Sequence, residues 1–223
     1  FLQNALSSAH SSALASTLSP AATGNSYTGC RPKIDRHYNR IAFVGRLCKE
    51  KGPDHFCSIA SQLPQNHYQV FGEGPMVSTL VQQHQGLIGF QGAVSDMASH
   101  WPKIDLLLMP SRHEGLPLTA LEAMAHGVPV AAFAVGGLSY LVDHRVNGWQ
   151  ANPNDVADLT RCLKHWQSLA VSTKIKIAQN ARQTIEARYS SQAIIPHILS
   201  VYGRSSVRFS IDFCGDEPKF REQ

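Results

Sequence analysis

No apolar run in this 223-residue chain approaches the roughly 18 residues of a membrane-spanning helix. No basic-then-apolar stretch has the pattern of a signal peptide either, so a cytoplasmic protein is expected. Charge is scarce at 16% of residues, against 43% hydrophobic, which excludes a chain disordered throughout and allows a full core. The net charge is only +4, and Lys and Arg form no cluster interleaved with aromatics, so nucleic acid is not an expected partner. A mild cationic excess suits nucleotides or an anionic membrane surface instead. The five cysteines, Cys30, Cys48, Cys57, Cys162 and Cys214, form no C-x-x-C pair, which fits reduced thiols. No two of the eleven histidines stand three or four residues apart, so no local zinc motif is present and no metal site is expected. The chain starts at Phe1 and not at methionine, and is read as a fragment.

What is present is an alternation, repeated about six times, of short apolar runs and amphipathic stretches. Strands are expected at 40–45, 67–71, 86–91, 104–109, 128–133 and near 149–150. Helices are expected from Pro53, over 76–84, after Ser95 or Asp96, after Asn152-Pro153, over 172–188, and from Ser190 to Tyr202 near a kink at Pro196. In the 172–188 helix, Ile175, Ala178, Ala181 and Ile185 are expected to face inward. The pattern predicts an α/β fold, a Rossmann-like parallel sheet with helices on both faces. Residues 1–39, rich in Ser and Ala, read as a linker or the remnant of a preceding domain. Residues 40–203 read as the Rossmann-like domain, and 204–223 as a C-terminal tail.

The stretch Pro110–Gly127, PSRHEGLPLTALEAMAHG, lies between two apolar runs and organises the rest. Pro117 is suited to open a helix, and Gly127 to close it in the left-handed conformation. Glu114 then falls in a strand-to-helix loop and Glu122 inside the helix. Such a turn aims N–H groups and a positive helix end at one point, a setting for a diphosphate. Gly115, Leu116, Pro117, Leu118 and Thr119 are small or apolar and let a ligand reach the backbone. Glu122 lies roughly 7–8 Å past Pro117 at 1.5 Å per residue, about the distance from a pyrophosphate to its ribose. The alternative is a capped core helix with one solvated and one loop glutamate.

Two further strand ends carry ligand-type residues. Arg46-Leu-Cys-Lys-Glu-Lys51-Gly52 follows Gly45 at the end of the first strand. Arg can fork onto a phosphate there and Lys can act as a point charge, or the loop is simply solvated. Gly72-Glu-Gly74-Pro75 lacks the third glycine of a dinucleotide fingerprint, since position 77 is Val77. A lone G-x-G is most often just a turn. Gly136-Gly137 permits close backbone approach to a ligand or a tight turn.

These motifs, in this order, resemble the C-terminal, donor-binding half of the retaining GT-B glycosyltransferases of family 4. The resemblance covers about residues 40–190. Glu114 and Glu122, within EGLPLTALEAMAHGVPV, match the family's glutamate pair, and VGRLCKEKG is similar to its G-R-L-x-x-E-K-G loop. The resemblance implies that Arg46 and Lys51 hold the donor diphosphate, with N–H groups of Gly115 to Leu118 beside them. It implies that Glu114 contacts the hexose and Glu122 the ribose. Gly45, Gly72 and Gly74 would lie near the nucleotide, and the loop at Val94 would line the base through backbone groups. Glu114, Arg46 and Lys51 carry the reaction in this reading, with Glu114 not a nucleophile. His113 beside Glu114 has no family role and reads as a surface residue.

The implied reaction transfers a hexose-type unit from a nucleotide-diphosphate sugar to a saccharide or lipid-linked acceptor, with retention. Polysaccharide, lipopolysaccharide or glycoconjugate synthesis is the setting. No metal or other cofactor is required in that fold class, because cations and N–H groups stabilise the departing diphosphate. The acceptor-binding N-terminal domain is not in the sequence, so the fragment alone is expected to be inactive, and the full enzyme could sit peripherally on the inner face of the membrane. Two alternatives stand beside this: a nucleotide-sugar-binding module without catalysis, and a GT-B epimerase.

Overall fold

A computed structural model of the chain describes residues 39–202, 209–214 and 217–222. These divide after Ile185 into two compact units. The linker expected at 1–39 falls, apart from Asn39, outside the described residues.

The first unit is a six-stranded parallel sheet with helices on its faces. Its strands are β1 (Arg40–Val44), β2 (His67–Phe71), β3 (Ile88–Gly92), β4 (Leu106–Met109), β5 (Val130–Phe133) and β6 (Gly148–Ala151). They lie in the order β3-β2-β1-β4-β5-β6. The connecting helices are α1 (Pro53–Gln62), α2 (Val77–His84), α3 (Leu118–Ala125), α4 (Leu138–Leu141), α5 (Val156–Ser168) and α6 (Val171–Arg188). The expected Rossmann-like architecture is therefore the observed one. All four residues of β4, LLLM, and all four of β5, VAAF, are buried, as parallel strands covered on both faces must be. On α1, Phe56, Ile59, Ala60 and Leu63 make the expected apolar stripe, and all four are buried.

The strand order reverses direction between β1 and β4. Strands β2 and β3 build outward on one side of that seam, and β5 and β6 on the other. At the amino ends of the seam Arg40 forks onto Asp105, with Nε–Oδ2 3.0 Å and Nη2–Oδ1 2.5 Å. At the carboxyl ends the two strands diverge and leave a crevice, the place where open α/β sheets bind ligands.

Several boundaries differ from expectation, each through side-chain chemistry. No helix follows Ser95; Asp96 instead accepts from the N–H of Ser99 at 3.3 Å in a turn, and a 3-10 turn follows at Trp101–Lys103. The cap of α5 is Asp155, which accepts from Asp158 N–H at 2.8 Å, and not Asn152, which belongs to the preceding turn. On α6 the buried face is Lys174, Ile177, Ala181 and Ile185, while Ile175 and Ala178 are only half-buried. Lys174 is tolerated inside because its Nζ donates to Gln167 O at 3.1 Å and lies 5.1 Å from the centre of the Trp166 ring. Burial lowers its pKa, with Asp105 opposing.

The second unit contains α7 (Ser191–Tyr202) and an antiparallel hairpin of β7 (Phe209–Cys214) and β8 (Glu217–Glu222). Ser190 Oγ accepts from Ala193 N–H at 3.2 Å, the expected cap, and Pro196 lies inside α7. Among the described residues no helix is long and apolar enough to cross a membrane.

Candidate active site

A pocket of about 210 Å³ opens in the crevice between β1 and β4. Phe43, Val44, Gly45 and Lys51 line it from the β1 side, and Met109, Ser111 and Glu114 from the β4 side. The segment Leu116 to Thr119 completes the wall. Seven residues singled out from sequence thus meet there: Gly45, Lys51, Glu114, Leu116, Pro117, Leu118 and Thr119.

Lys51 and Glu114 are joined directly, Nζ to Oε2 at 2.8 Å. The Glu114 side chain is 3% exposed and that of Lys51 36%. The other carboxylate oxygen, Glu114 Oε1, is buried with no hydrogen-bond partner among the described residues. An unsatisfied buried acceptor of this kind is costly and calls for an explanation. A hydroxyl-bearing ligand supplies one.

Helix α3 begins at Leu118, one residue later than expected. Pro117, with φ −81° and ψ 75°, is its cap, and its carbonyl accepts from Ala120 and Leu121. Of the N–H groups expected to face a ligand, Pro117 has none, and Leu118 donates to Leu116 O at 2.9 Å. Those of Gly115 and Leu116 meet no acceptor among the described residues, and neither does that of Thr119, which lies outside the expected set. Gly127 ends the helix at φ +74°, in the left-handed conformation expected of it.

Arg46 is exposed, and its side chain makes no hydrogen bond or ion pair among the described residues, while its carbonyl accepts from Cys48 N–H at 2.9 Å. It stands just outside the pocket wall with its charge uncommitted. The Gly72–Pro75 turn is stitched to the same loop: Leu47 N–H donates to Glu73 O at 2.8 Å and Met76 N–H to Leu47 O at 3.0 Å. Gly72 itself donates to Gly92 O at 2.7 Å. Gly72 and Gly74 therefore shape the rim between loops without lining the pocket, and Val94 is half-buried in the loop after β3. Glu122 is half-buried, and its Oε1 accepts from the indole N–H of Trp101 at 3.0 Å. It too lies outside the pocket wall.

The glycine pair at 136–137 has a structural use. Gly136 has φ +48°, and a Cβ there would meet Glu114 O at 1.7 Å. Gly137 donates to Gly115 O at 3.1 Å. The loop after β5 thus presses directly on the backbone that carries Glu114. Gly115 differs, since a Cβ there would meet nothing within 4 Å.

The sequence reading missed Phe43, Val44, Met109 and Ser111, which look like ordinary strand ends, and the cluster of Asp54, His55 and Arg112. Arg112 forks onto Asp54 at 2.9 and 2.6 Å, and its Nη2 lies 2.7 Å from His55 Nε2. Burial alone would raise the Asp54 pKa, but the Arg112 hydrogen bonds and charge outweigh it and hold the carboxyl below its usual value. His55 is pushed down, first by burial and then by the Arg112 charge, with Asp54 and the Pro110 carbonyl opposing. Its ring also packs edge-on to Phe133, with centroids 5.7 Å apart.

A depressed histidine takes its proton in the unfolded chain before the folded one. Its stabilising contribution is whole above the unfolded value near 6.5 and is lost as pH falls toward the folded value. The limiting slope for one proton is about 1.4 kcal/mol per pH unit. His55→Gln is expected to show a shallower fall of Tm between pH 7 and pH 5 than the wild-type chain. Parallel Tm profiles for the two would remove His55 from this account.

Residues 38–167 match the model of the family described as glycosyl transferases group 1. The chain belongs to this family. It is 32% identical to the 2-deoxystreptamine N-acetyl-D-glucosaminyltransferase of Streptomyces fradiae, over 77% of this chain and 41% of the relative. This group 1 domain is also similar to a crystal structure of Anabaena Alr3699/HepE in complex with UDP and glucose. That likeness has a TM-score of 0.68 at 24% identity and covers 75% of this chain and 48% of the other. A third similarity is to the crystallised C-terminal domain of a group 1 family protein, LpcC, from Francisella tularensis. Its TM-score is 0.62 at 24% identity, covering 72% of this chain and 94% of that domain. The fold is that of one Rossmann-like domain of the GT-B glycosyltransferases. The group 1 domain spans under half the length of the curated relatives it matches.

Proposed function

We propose that the β1–β4 crevice binds a nucleotide-diphosphate sugar and that the protein carrying this domain is a retaining, family 4 type glycosyltransferase. The acceptor in this reading is a saccharide or a lipid-linked saccharide, as in polysaccharide, lipopolysaccharide or glycoconjugate synthesis. Acceptor binding would need chain beyond this domain. The observation that carries the reading is the Lys51–Glu114 pair, whose buried carboxylate has one oxygen left unsatisfied among the described residues. A sugar hydroxyl can donate to that oxygen. Lys51 and the uncommitted Arg46 supply positive charge for the diphosphate, and the N–H groups of Gly115, Leu116 and Thr119 add donors. Together they favour the sugar–phosphate bond as it breaks, because they are already aimed where negative charge develops. The diphosphate is met by the chain's own groups, without a metal cofactor. Glu122 keeps one oxygen for the ribose while Trp101 holds the other. The UDP and glucose in the Anabaena structure support a uridine diphosphate donor.

The test is a thermal-shift panel of UDP, GDP, ADP, their sugar conjugates and pyrophosphate on the 223-residue chain. A ligand at 100 times its Kd adds about 2.7 kcal/mol, and each kcal/mol moves Tm by roughly 2–4 °C at this size. One nucleotide is expected to shift Tm selectively. Gly115→Ala should keep the unliganded Tm, since its Cβ meets nothing, while losing most of the ligand shift. No shift with any compound at millimolar concentration would exclude a donor site in this chain.

A further inference from the structure

Arg112 lies two residues before Glu114 yet takes no part in the pocket wall. Its side chain turns toward the neighbouring loop. One guanidinium nitrogen donates to Lys49 O at 2.5 Å and to Asp54 Oδ1 at 2.9 Å. The other donates to Asp54 Oδ2 at 2.6 Å and lies 2.7 Å from His55 Nε2. The Arg112 backbone N–H donates to Glu50 O at 2.7 Å, and Ser111 Oγ reaches Lys51 O at 3.4 Å. Every one of these contacts ends on residues 49–55, the segment that carries Lys51.

A two-pronged guanidinium–carboxylate pair fixes a plane as well as a distance. Here it fixes the plane of the 110–114 loop against the 49–55 segment. The same two segments present Glu114 and Lys51 to each other at 2.8 Å. The Arg112 charge is already matched by Asp54 and is turned from the pocket, so it is poorly placed to meet an anion. A lysine could not replace it, because an ammonium cannot span Asp54, a carbonyl and an imidazole in one plane.

We propose that Arg112, forked onto Asp54 and bonded to Lys49 O and His55, is a positioning residue for the donor site. It sets the Lys51 loop against the Glu114 loop without touching the ligand. The inference rests on the reading of the crevice as a diphosphate-sugar site. Small displacements of a charged group are costly there, because oriented groups act only at near-ideal geometry.

The experiment is calorimetric titration of the chain with UDP and with inorganic pyrophosphate, well below the lowest Tm of any variant. The variants are Arg112→Ala, Arg112→Lys, Asp54→Asn, Lys51→Ala and the Lys51→Ala/Arg112→Ala pair. Arg112→Ala is expected to weaken both ligands roughly tenfold, the scale of coupling within one polar network. Arg112→Lys and Asp54→Asn should weaken them in the same direction. If Arg112 bound phosphate itself, loss of the Asp54 charge would release it, so tighter binding by Asp54→Asn overturns the proposal. In the Lys51→Ala background Arg112→Ala should cost little more, because it acts through Lys51. A full further tenfold loss there also overturns it. Should Arg112→Ala fail to fold, Asp54→Asn and Arg112→Lys decide by the same signs. Wild-type chain that binds neither ligand defeats the donor-site reading and this inference with it. Normal wild-type binding with unaltered Arg112 variants defeats this inference alone.

Discussion

Lys51→Ala is expected to destabilise the chain far more than Glu114→Ala, and the double variant is expected to be more stable than Lys51→Ala alone. The asymmetry follows from exposure. The Glu114 side chain is 3% exposed and already has one oxygen without a donor, whereas Lys51 is 36% exposed. Removing the ammonium strands a buried carboxylate, and breaking a buried pair in this way costs about 3–5 kcal/mol. Solvent reaches the lysine side and screens the pair, which brings the expected loss to about 2–3 kcal/mol. Removing the carboxylate leaves an ammonium free to turn to water, at a cost of under about 1 kcal/mol. The double variant has no stranded charge and recovers part of the loss. Urea or thermal unfolding of the four proteins closes the cycle. Equal losses for the two single variants that simply add in the double would show that the pair is not the buried contact described. Lys51→Ala should in addition lose about 1.5–3 kcal/mol of diphosphate binding, the range for hydrogen bonds to charged groups.

Gly136→Ala should be at least as damaging, although residue 136 does not itself line the pocket. Its φ of +48° costs an L-residue about 1–2 kcal/mol. Its Cβ would also fall 1.7 Å from Glu114 O and 2.8 Å from Glu114 C, both backbone atoms. Neither can swing aside as a side chain would, and forced overpacking adds about 1–3 kcal/mol. The sum is about 2–5 kcal/mol, roughly 2–4 °C of Tm for each. The relief available is displacement of the Glu114 loop, so the ligand-induced shift in Tm should disappear as well. An unchanged Tm together with an unchanged ligand shift would refute the close approach. Gly115→Ala is the control for the unliganded Tm, because it alters the same loop without a clash.

The strands were legible because a buried parallel strand leaves a dense apolar run, and LLLM and VAAF are such runs. Strand β2 was read to its exact ends. The helix carrying Glu122 was legible from Pro117 and Gly127, whose backbone preferences punctuate it. What escaped notice depends on partners distant in sequence. Nothing around Arg112 announces a fork onto Asp54, 58 residues earlier. Lys174 looks like a solvent residue until the Gln167 carbonyl and the Trp166 ring are placed beside it. The start of α5 was misplaced because Asn152 and Asp155 are both good caps, and only the hydrogen bond to Asp158 chooses between them. The glycine pair was read as open to a ligand or a turn, and the fold uses it to support the Glu114 loop.

The strand order has a consequence for how such a site can change. The loops holding Lys51 and Glu114 hang from β1 and β4, the two innermost strands, each paired on both sides. The loop proposed to line the base hangs from β3, a rim strand with one neighbour. A substitution near Val94 therefore disturbs one ladder, whereas one near Lys51 or Glu114 bears on a strand held by two. Mutational tolerance is expected to be graded across the sheet, least at the two central strand ends that hold Lys51 and Glu114 and greatest at the rim strand.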